Sequence, residues 1–256
     1  MQTILPYSAK TEDLLTYLKK IEDVSKKKGL LLNTKKTKIM VIDYQGNYAD
    51  GFQLGGEQIE EVNDFVYLGS TINKENDCMQ EVKRRICIAR TTVQKLEKIW
   101  KSRAVGKDLK LRILRSSAFS VASYGCESWT YSKKVQAKVD AFEMWCYRRL
   151  LRVSWMDRRT NEWVLQQLNT KTILKKQMMK RKLTFFGHVS RHGSLEKCII
   201  QGSMEGRRRR GRPRRMWQKD IEEWTERSLP EASQAAQQRE RWKNDIVATA
   251  VRRRAT

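Results

Sequence analysis

Asp77-Cys78-Met79-Gln80-Glu81-Val82-Lys83-Arg84-Arg85-Ile86-Cys87-Ile88-Ala89-Arg90-Thr91-Thr92-Val93-Gln94-Lys95-Leu96-Glu97-Lys98-Ile99-Trp100 is the stretch at which the chain changes character. Val82, Ile86, Ala89, Val93, Leu96 and Trp100 step by threes and fours, the spacing that gathers apolar side chains on one face of an α-helix. Lys83, Arg84, Arg90, Lys95 and Lys98 fall largely off that stripe, so one face is core and another is basic. The same spacing predicts helices over 108–124, 133–151, 160–168 and 172–186, with Gly106 and Gly125 as punctuation and Thr160 as a cap. A last helix is expected from Ser228-Leu229-Pro230-Glu231, with Trp242, Ile246 and Ala250 on one face.

Upstream the period differs. Residues 10–28 read as one amphipathic helix (Leu14, Leu15, Leu18, Ile21, Val24) that Gly29 is placed to stop. After it come short strand signals at Thr37–Ile42, Phe52–Leu54 and Gln58–Val62, with turns around Gln45–Asn47 and at Gly55-Gly56. Phe65-Val66-Tyr67-Leu68-Gly69-Ser70-Thr71-Ile72 fits a strand and a tight turn. The expected class is α+β, mostly α: a small hairpin-containing head over 1–76 and a helical, basic body.

The charge divides along the same line. The 256 residues carry a formal charge of +24. Residues 1–77 hold 10 lysines, no arginine and 12 acidic residues, a net of −2, so the remainder carries +26. Such a body is drawn to polyanions with strong salt dependence. Five cysteines without a CxxC spacing, and no long apolar N-terminal run, point to a reducing compartment, nuclear or cytoplasmic. No apolar run is long enough to cross a bilayer, so no membrane partner is expected.

Within the body, Glu205-Gly206-Arg207-Arg208-Arg209-Arg210-Gly211-Arg212-Pro213-Arg214-Arg215-Met216-Trp217 stands apart. Seven of the nine residues from Arg207 to Arg215 are arginine, a density no packed core accepts. Guanidinium groups pair with phosphate oxygens, so RNA or DNA is the expected partner through its backbone; a nuclear-import signal or a solvated linker remains the alternative. Pro213 suits the first turn of a helix continuing through Met216, Trp217, Ile221 and Trp224, which would anchor the run. Among the aromatic residues interleaved with the basic ones, Trp155 and Trp217 are the candidates for stacking on unpaired bases; core packing is the expectation for most others.

His188, His192 and Cys198 are three potential metal donors, one short of a structural zinc site unless Cys126 or Cys146 joins them; core thiols and packed imidazoles are the simpler expectation. No phosphate-cradling glycine loop or nucleophile constellation is present.

Gly29-Leu30-Leu31-Leu32-Asn33-Thr34-Lys35-Lys36-Thr37-Lys38-Ile39-Met40, Phe65-Val66-Tyr67-Leu68-Gly69, Phe185-Phe186-Gly187-His188-Val189 and the Gly206–Trp217 run occur in an ordered series. In that order they resemble the C-terminal half of a non-LTR retrotransposon reverse transcriptase of the RTE or BovB type, over nearly the whole chain. The resemblance implies a palm remnant over 1–76, a thumb-like helical bundle over 77–155 and a basic helical C-terminal domain with an arginine-rich arm over 156–256. Lys36 would match the palm lysine that approaches the leaving pyrophosphate, although in this chain it reads first as a surface lysine. Tyr67, Leu68 and Gly69 would shape the primer-grip turn, which an ordinary core hairpin also explains. Lys83, Arg84, Arg90, Lys95 and Lys98 would track a template–primer duplex; any one of them also fits a solvated helix face. Arg158, Arg159, Lys180, Arg181, Arg207, Arg208, Arg209, Arg210, Arg212, Arg214 and Arg215 would contact template RNA or target DNA.

The family's catalytic Ala-Asp-Asp turn lies just before a Thr-Ile-Leu segment. Here Thr3-Ile4-Leu5 follows Met1-Gln2, and the acidic pairs Glu12-Asp13 and Glu22-Asp23 fall in the expected first helix. Two-metal phosphoryl transfer needs carboxylates to hold magnesium. No cofactor is therefore expected, with magnesium entering only alongside a complete palm, and the chain is expected not to polymerise by itself. The alternatives are a non-enzymatic nucleic-acid-binding or interaction protein retained by a host, and part of an active enzyme whose upstream exon is missing.

Overall fold

The computed structural model describes residues 11–33, 36–41, 53–54, 56–75, 77–193, 195–202 and 215–253. The class is α+β, mostly α, in two compact units that meet in sequence between Asp77 and Cys78.

The first unit begins with α1 (Thr11–Lys27), which holds both acidic pairs, Glu12-Asp13 and Glu22-Asp23. Gly29 ends it at φ +72°, while the Leu30 amide returns to the Ser25 carbonyl at 2.9 Å. The strands are short: β1 (Lys38–Ile39), β2 (Gln53–Leu54), β3 (Glu57–Gln58), β4 (Glu60–Glu61), β5 (Asp64–Tyr67) and β6 (Ser70–Asn73). β1 runs parallel to β4, β2 pairs antiparallel with β3, and β5 pairs antiparallel with β6 from Asp64↔Asn73 to Tyr67↔Ser70. Leu68 (φ 46°) and Gly69 (φ 79°) close that last hairpin; two successive positive φ values match the right-handed twist of the strands. Ile39 and Ile59 are buried together against Leu18, Leu32 and Val41. Expected features at Ile42, Gln45–Asn47, Phe52 and Gly55 lie outside the described residues.

The second unit is helical. α2 (Met79–Lys95) buries Val82, Ile86, Ala89 and Val93, the stripe expected from sequence. The expected single helix breaks at Leu96 and resumes as α3 (Glu97–Lys101). At the break the Trp100 indole N–H donates to the Val93 carbonyl at 2.7 Å. Lys110, from α4 (Lys107–Leu114), is buried with its ammonium on the Trp100 and Ser102 carbonyls, both at 2.8 Å, and so satisfies the end of α3. The helix expected over 108–124 widens into a π-turn at Arg115–Phe119 before α5 (Ser120–Ala122).

α6 (Lys133–Leu151), capped by Ser132, presents Val135, Val139, Phe142, Cys146 and Leu150 to the core. After a 3-10 turn at Trp155–Asp157 comes α7 (Asn161–Gln167), whose cap is Thr160, accepting from the Trp163 amide at 3.1 Å. α8 (Leu174–Arg191) runs past its expected end at Phe186, and Gly187 within it lets the Trp242 indole seat against the helix. Then come α9 (Leu195–Gln201), unforeseen from sequence, and α10 (Trp217–Thr225), which begins four residues beyond Pro213. Pro213 itself lies outside the described residues. The expected last helix is three pieces and a π-turn: α11 (Leu229–Ala236), opened by a capping box of Ser228 and Glu231, α12 (Arg239–Arg241), the π-turn Trp242–Val247 and α13 (Ala248–Arg253). Trp242, Ile246 and Ala250 are nonetheless all buried. One apolar core runs from Val82 to Ala250, so helices on both sides of residue 155 share it.

Candidate nucleic-acid interface

On the second unit, α2 and α6 pack together and α7 packs on α6, which brings basic residues of three elements to neighbouring positions. Trp145 of α6 is half-buried, with the Arg90 guanidinium 5.3 Å and the Arg149 guanidinium 5.6 Å from its ring. Arg149 lies one turn along the helix from Trp145, while Arg90 reaches over from α2. Both are exposed and have no ion pair among the described residues. Next along the surface, Arg148 donates to the Arg159 carbonyl (3.1 Å) and the Asn161 side-chain oxygen (2.8 Å), which fixes the turn before α7. That turn sets the Arg159 guanidinium 4.9 Å from the Trp163 ring. Arg158 stands exposed beside it with φ 46°.

Cations held on ring faces keep their outward N–H groups in a limited set of positions. Such a surface can meet phosphate oxygens with less loss of side-chain freedom than extended lysines would suffer. Lys83, Lys95 and Lys98 are exposed and without an ion pair among the described residues. Arg84 differs: it donates to Glu81 at 2.9 Å, and the same buried carboxylate takes Arg85 at 2.7 Å. Glu97 feels the Arg149 charge but is paired with Lys101 at 3.0 Å.

On α8, Lys180 and Arg181 are exposed, and Arg181 donates to the Ser123 carbonyl and hydroxyl at 2.9 and 3.0 Å. Their neighbour Lys182, in sequence one more cation of a basic helix, is fully buried. Its ammonium donates to the Trp129 carbonyl at 2.7 Å and to Asp220 at 2.5 Å, with the rings of Trp217, Tyr131 and Trp224 at 4.3, 5.6 and 5.7 Å. Burial pushes Lys182 down to about 8, and Asp220 pulls it partly back.

Asp220 also accepts from the Tyr131 amide at 2.8 Å and from Arg215 at 2.8 and 3.0 Å. Arg215 donates further to Glu223 at 2.6 and 2.7 Å, and these carboxylates hold its guanidinium firmly charged. Arg215, the last arginine of the 207–215 run, is thus engaged by two protein carboxylates. The expected stacking role of Trp217 is corrected. Its indole N–H donates to the Glu127 carbonyl at 2.8 Å and its ring packs against Phe185 and Phe186, so it is wall and not a free stacking platform. Arg207, Arg208, Arg209, Arg210, Arg212 and Arg214 lie outside the described residues, as does the Trp155 side chain.

On the first unit, Tyr67 and Gly69 stand at the tip of the β5–β6 hairpin, with Tyr67 38% exposed. Lys36 is exposed in a turn where Asn33 accepts the Lys36 amide on its backbone and side-chain oxygens at 3.0 and 3.1 Å. That places it between helix and strand, as expected.

The His188 and His192 rings lie with centroids 4.5 Å apart and planes tilted by 53°, while Cys198 is exposed on α9. Among the described residues no group of three His, Cys, Asp or Glu side chains is placed to hold a metal ion. Cys126 and Cys146 are buried core thiols, and burial pushes Cys126 up to about 12. No described helix is long and apolar enough to cross a membrane.

Over 172 residues the chain is 26% identical to a protein of Caenorhabditis elegans described as transposon-derived. The match takes in 64% of this chain and 60% of the relative, so the chain spans well under two thirds of that protein. No family model matches the sequence. No solved structure matches it either. The likeness sets this chain beside a transposable-element protein.

Proposed function

We propose that this chain is the nucleic-acid-handling part of a transposable-element protein of the non-LTR reverse-transcriptase type, and that it grips the phosphate backbone of a template–primer duplex. The observation that carries this reading is the Arg90–Trp145–Arg149 stack, continued by Arg159 on Trp163. α2, α6 and the turn before α7 order their exposed arginines on rings and leave the outer N–H groups toward solvent. The likeness to a transposon-derived protein supports the ancestry, and the +26 borne beyond residue 77 supports a polyanionic partner. The acidic pairs nearest Thr3-Ile4-Leu5, Glu12-Asp13 and Glu22-Asp23, lie in α1 and not on a strand turn, so polymerisation by this chain alone is not part of the proposal.

The test is binding of the purified chain to a labelled RNA–DNA hybrid across a salt series. Arg90→Gln with Arg149→Gln, and separately Arg207 to Arg210 changed to alanine, are measured alongside. Each lost phosphate contact should flatten the logarithmic salt slope by about 0.9, so the Arg90/Arg149 pair should remove roughly two units of slope. Weak wild-type binding at physiological salt, with both variants unchanged, would end the reading.

A further inference from the structure

α8, α12, the π-turn Trp242–Val247 and the 3-10 turn Cys126–Ser128 line an open cleft of about 930 Å³, built from residues other than the Arg90–Trp145–Arg149 surface. Its walls carry Lys180, Arg181, Arg191, Arg239 and Lys243 against one carboxylate, Glu127. Two of these cations are structural. Arg181 is tied to Ser123, and Arg191 donates to the Ala236 carbonyl at 2.9 Å. The other three, Lys180, Arg239 and Lys243, are exposed and have no ion pair among the described residues.

The same cleft has a flat apolar wall. Phe185 is 36% exposed and is fixed from behind by an edge-on contact with the Trp217 ring, 6.4 Å between centroids. His188 and His192 add two imidazoles one turn further along, 4.5 Å apart and tilted by 53° to each other. The Trp242 indole closes the floor, with its N–H on the Leu183 carbonyl at 2.9 Å.

We infer that this cleft binds unpaired nucleotides of a single-stranded nucleic acid, with phosphates on Lys180, Arg239 and Lys243 and a base stacked on Phe185. A charge-only site for duplex phosphate needs no exposed ring, and a purely apolar groove has no use for three unpaired cations. The combination of a basic rim with an exposed, braced aromatic is what single strands use, because their bases present a free π face. The volume falls within the range of cavities that hold small ligands, enough for one or two nucleotides. This inference rests on the proposed nucleic-acid-binding function and adds the strandedness and the residues of a second contact.

The test uses the full chain and measures anisotropy with labelled 12-nucleotide oligouridylate and oligothymidylate, and with the hybrid duplex. Lys180→Gln, Arg239→Gln and Lys243→Gln together should weaken both single strands roughly tenfold or more and flatten their salt slope by about 2 units. Arg239→Gln with Lys243→Gln, which leaves Lys180 in place, should bind the hybrid within about twofold of wild type. Phe185→Leu, which keeps an apolar side chain against Trp217, should weaken single strands about tenfold and abolish the fluorescence quenching of a 2-aminopurine placed in the strand. The Arg90/Arg149 variant should show the reverse preference. If the hybrid binds and responds to Arg90 and Arg149 while single strands ignore the triple variant and Phe185→Leu, the cleft inference is overturned and the proposed function stands. If neither hybrid nor single strand binds, both fall.

Discussion

Lys182 of α8 and Asp220 of α10 form an ion pair 2.5 Å long in which both side chains are fully buried. Through the other oxygen of Asp220 the pair holds Arg215, the last arginine of the 207–215 run. Removing one partner from such a pair leaves a charge without compensation in the core, at a cost of about 3–5 kcal/mol. Asp220→Ala should therefore lower stability by that order in urea denaturation and leave Arg215 held by Glu223 alone. Lys182→Met with Asp220→Leu should recover much of the loss, since no lone charge remains. A double variant as unstable as Asp220→Ala would mean that the pair does more than cancel charge.

The same lysine gives stability a definite pH dependence. Burial lowers Lys182 to about 8 in the folded protein, against 10.5 for an ordinary lysine. Between those values the unfolded chain binds more protons than the folded one, so the Lys182 contribution to stability rises with pH across that window. Below about 8 both states are protonated and the contribution is flat at its least favourable. Buried Cys126 works in the opposite sense, because its thiol is raised and the unfolded chain loses that proton first. Subtracting the unfolding free energy of Lys182→Met from that of wild type, pH by pH, removes the common thiol part. The difference should climb by an order of 2–3 kcal/mol between about pH 8 and pH 10. A flat difference would contradict the lowered lysine.

Gly187 sits inside α8, where glycine ordinarily weakens a helix. A Cβ there would run into the Trp242 indole, whose N–H is committed to Leu183. Gly187→Ala should thus destabilise by about 1–3 kcal/mol despite the better helix propensity of alanine, through overpacking. Gly106→Ala, where a Cβ meets nothing within 4 Å, should be nearly neutral by the same thermal-melt comparison. Equal effects at the two glycines would refute the close approach.

Periodicity carried the helical body: the apolar buried positions of α2 were legible in Val82, Ile86, Ala89 and Val93, whereas the buried pair Glu81 and Arg85 was not. The caps at Thr160 and Ser228 were legible too, since a side chain bonding its own helix is a local event. The break at Leu96 was not, for it depends on the carbonyls that the Trp100 indole and the Lys110 ammonium take up. Lys182 misled for a related reason. In sequence it is one more cation in a basic helix, and only the approach of Asp220 from 38 residues away makes its burial tolerable. Trp145 and Arg149, a helical turn apart, did carry a readable signal; Arg90 on another helix completed it.

Glu143 of α6 shows what tertiary capping does for the body. α8 has no side-chain cap of its own, and the buried Glu143 carboxylate accepts from the Ile173 amide at 2.7 Å and the Leu174 amide at 3.2 Å. The Tyr147 hydroxyl donates to the same group at 2.7 Å. Burial raises Glu143 while these donors hold it down. Glu143→Ala strands two amides and a phenol inside the core, so a loss of about 3 kcal/mol is expected. Glu143→Gln keeps an acceptor oxygen and should cost less. Because α8 carries both Lys182 and the cleft residue Lys180, fraying its first turn should appear as faster amide hydrogen exchange at Ile173 and Leu174 before global unfolding. Unchanged exchange in Glu143→Ala would show that α8 starts without this carboxylate.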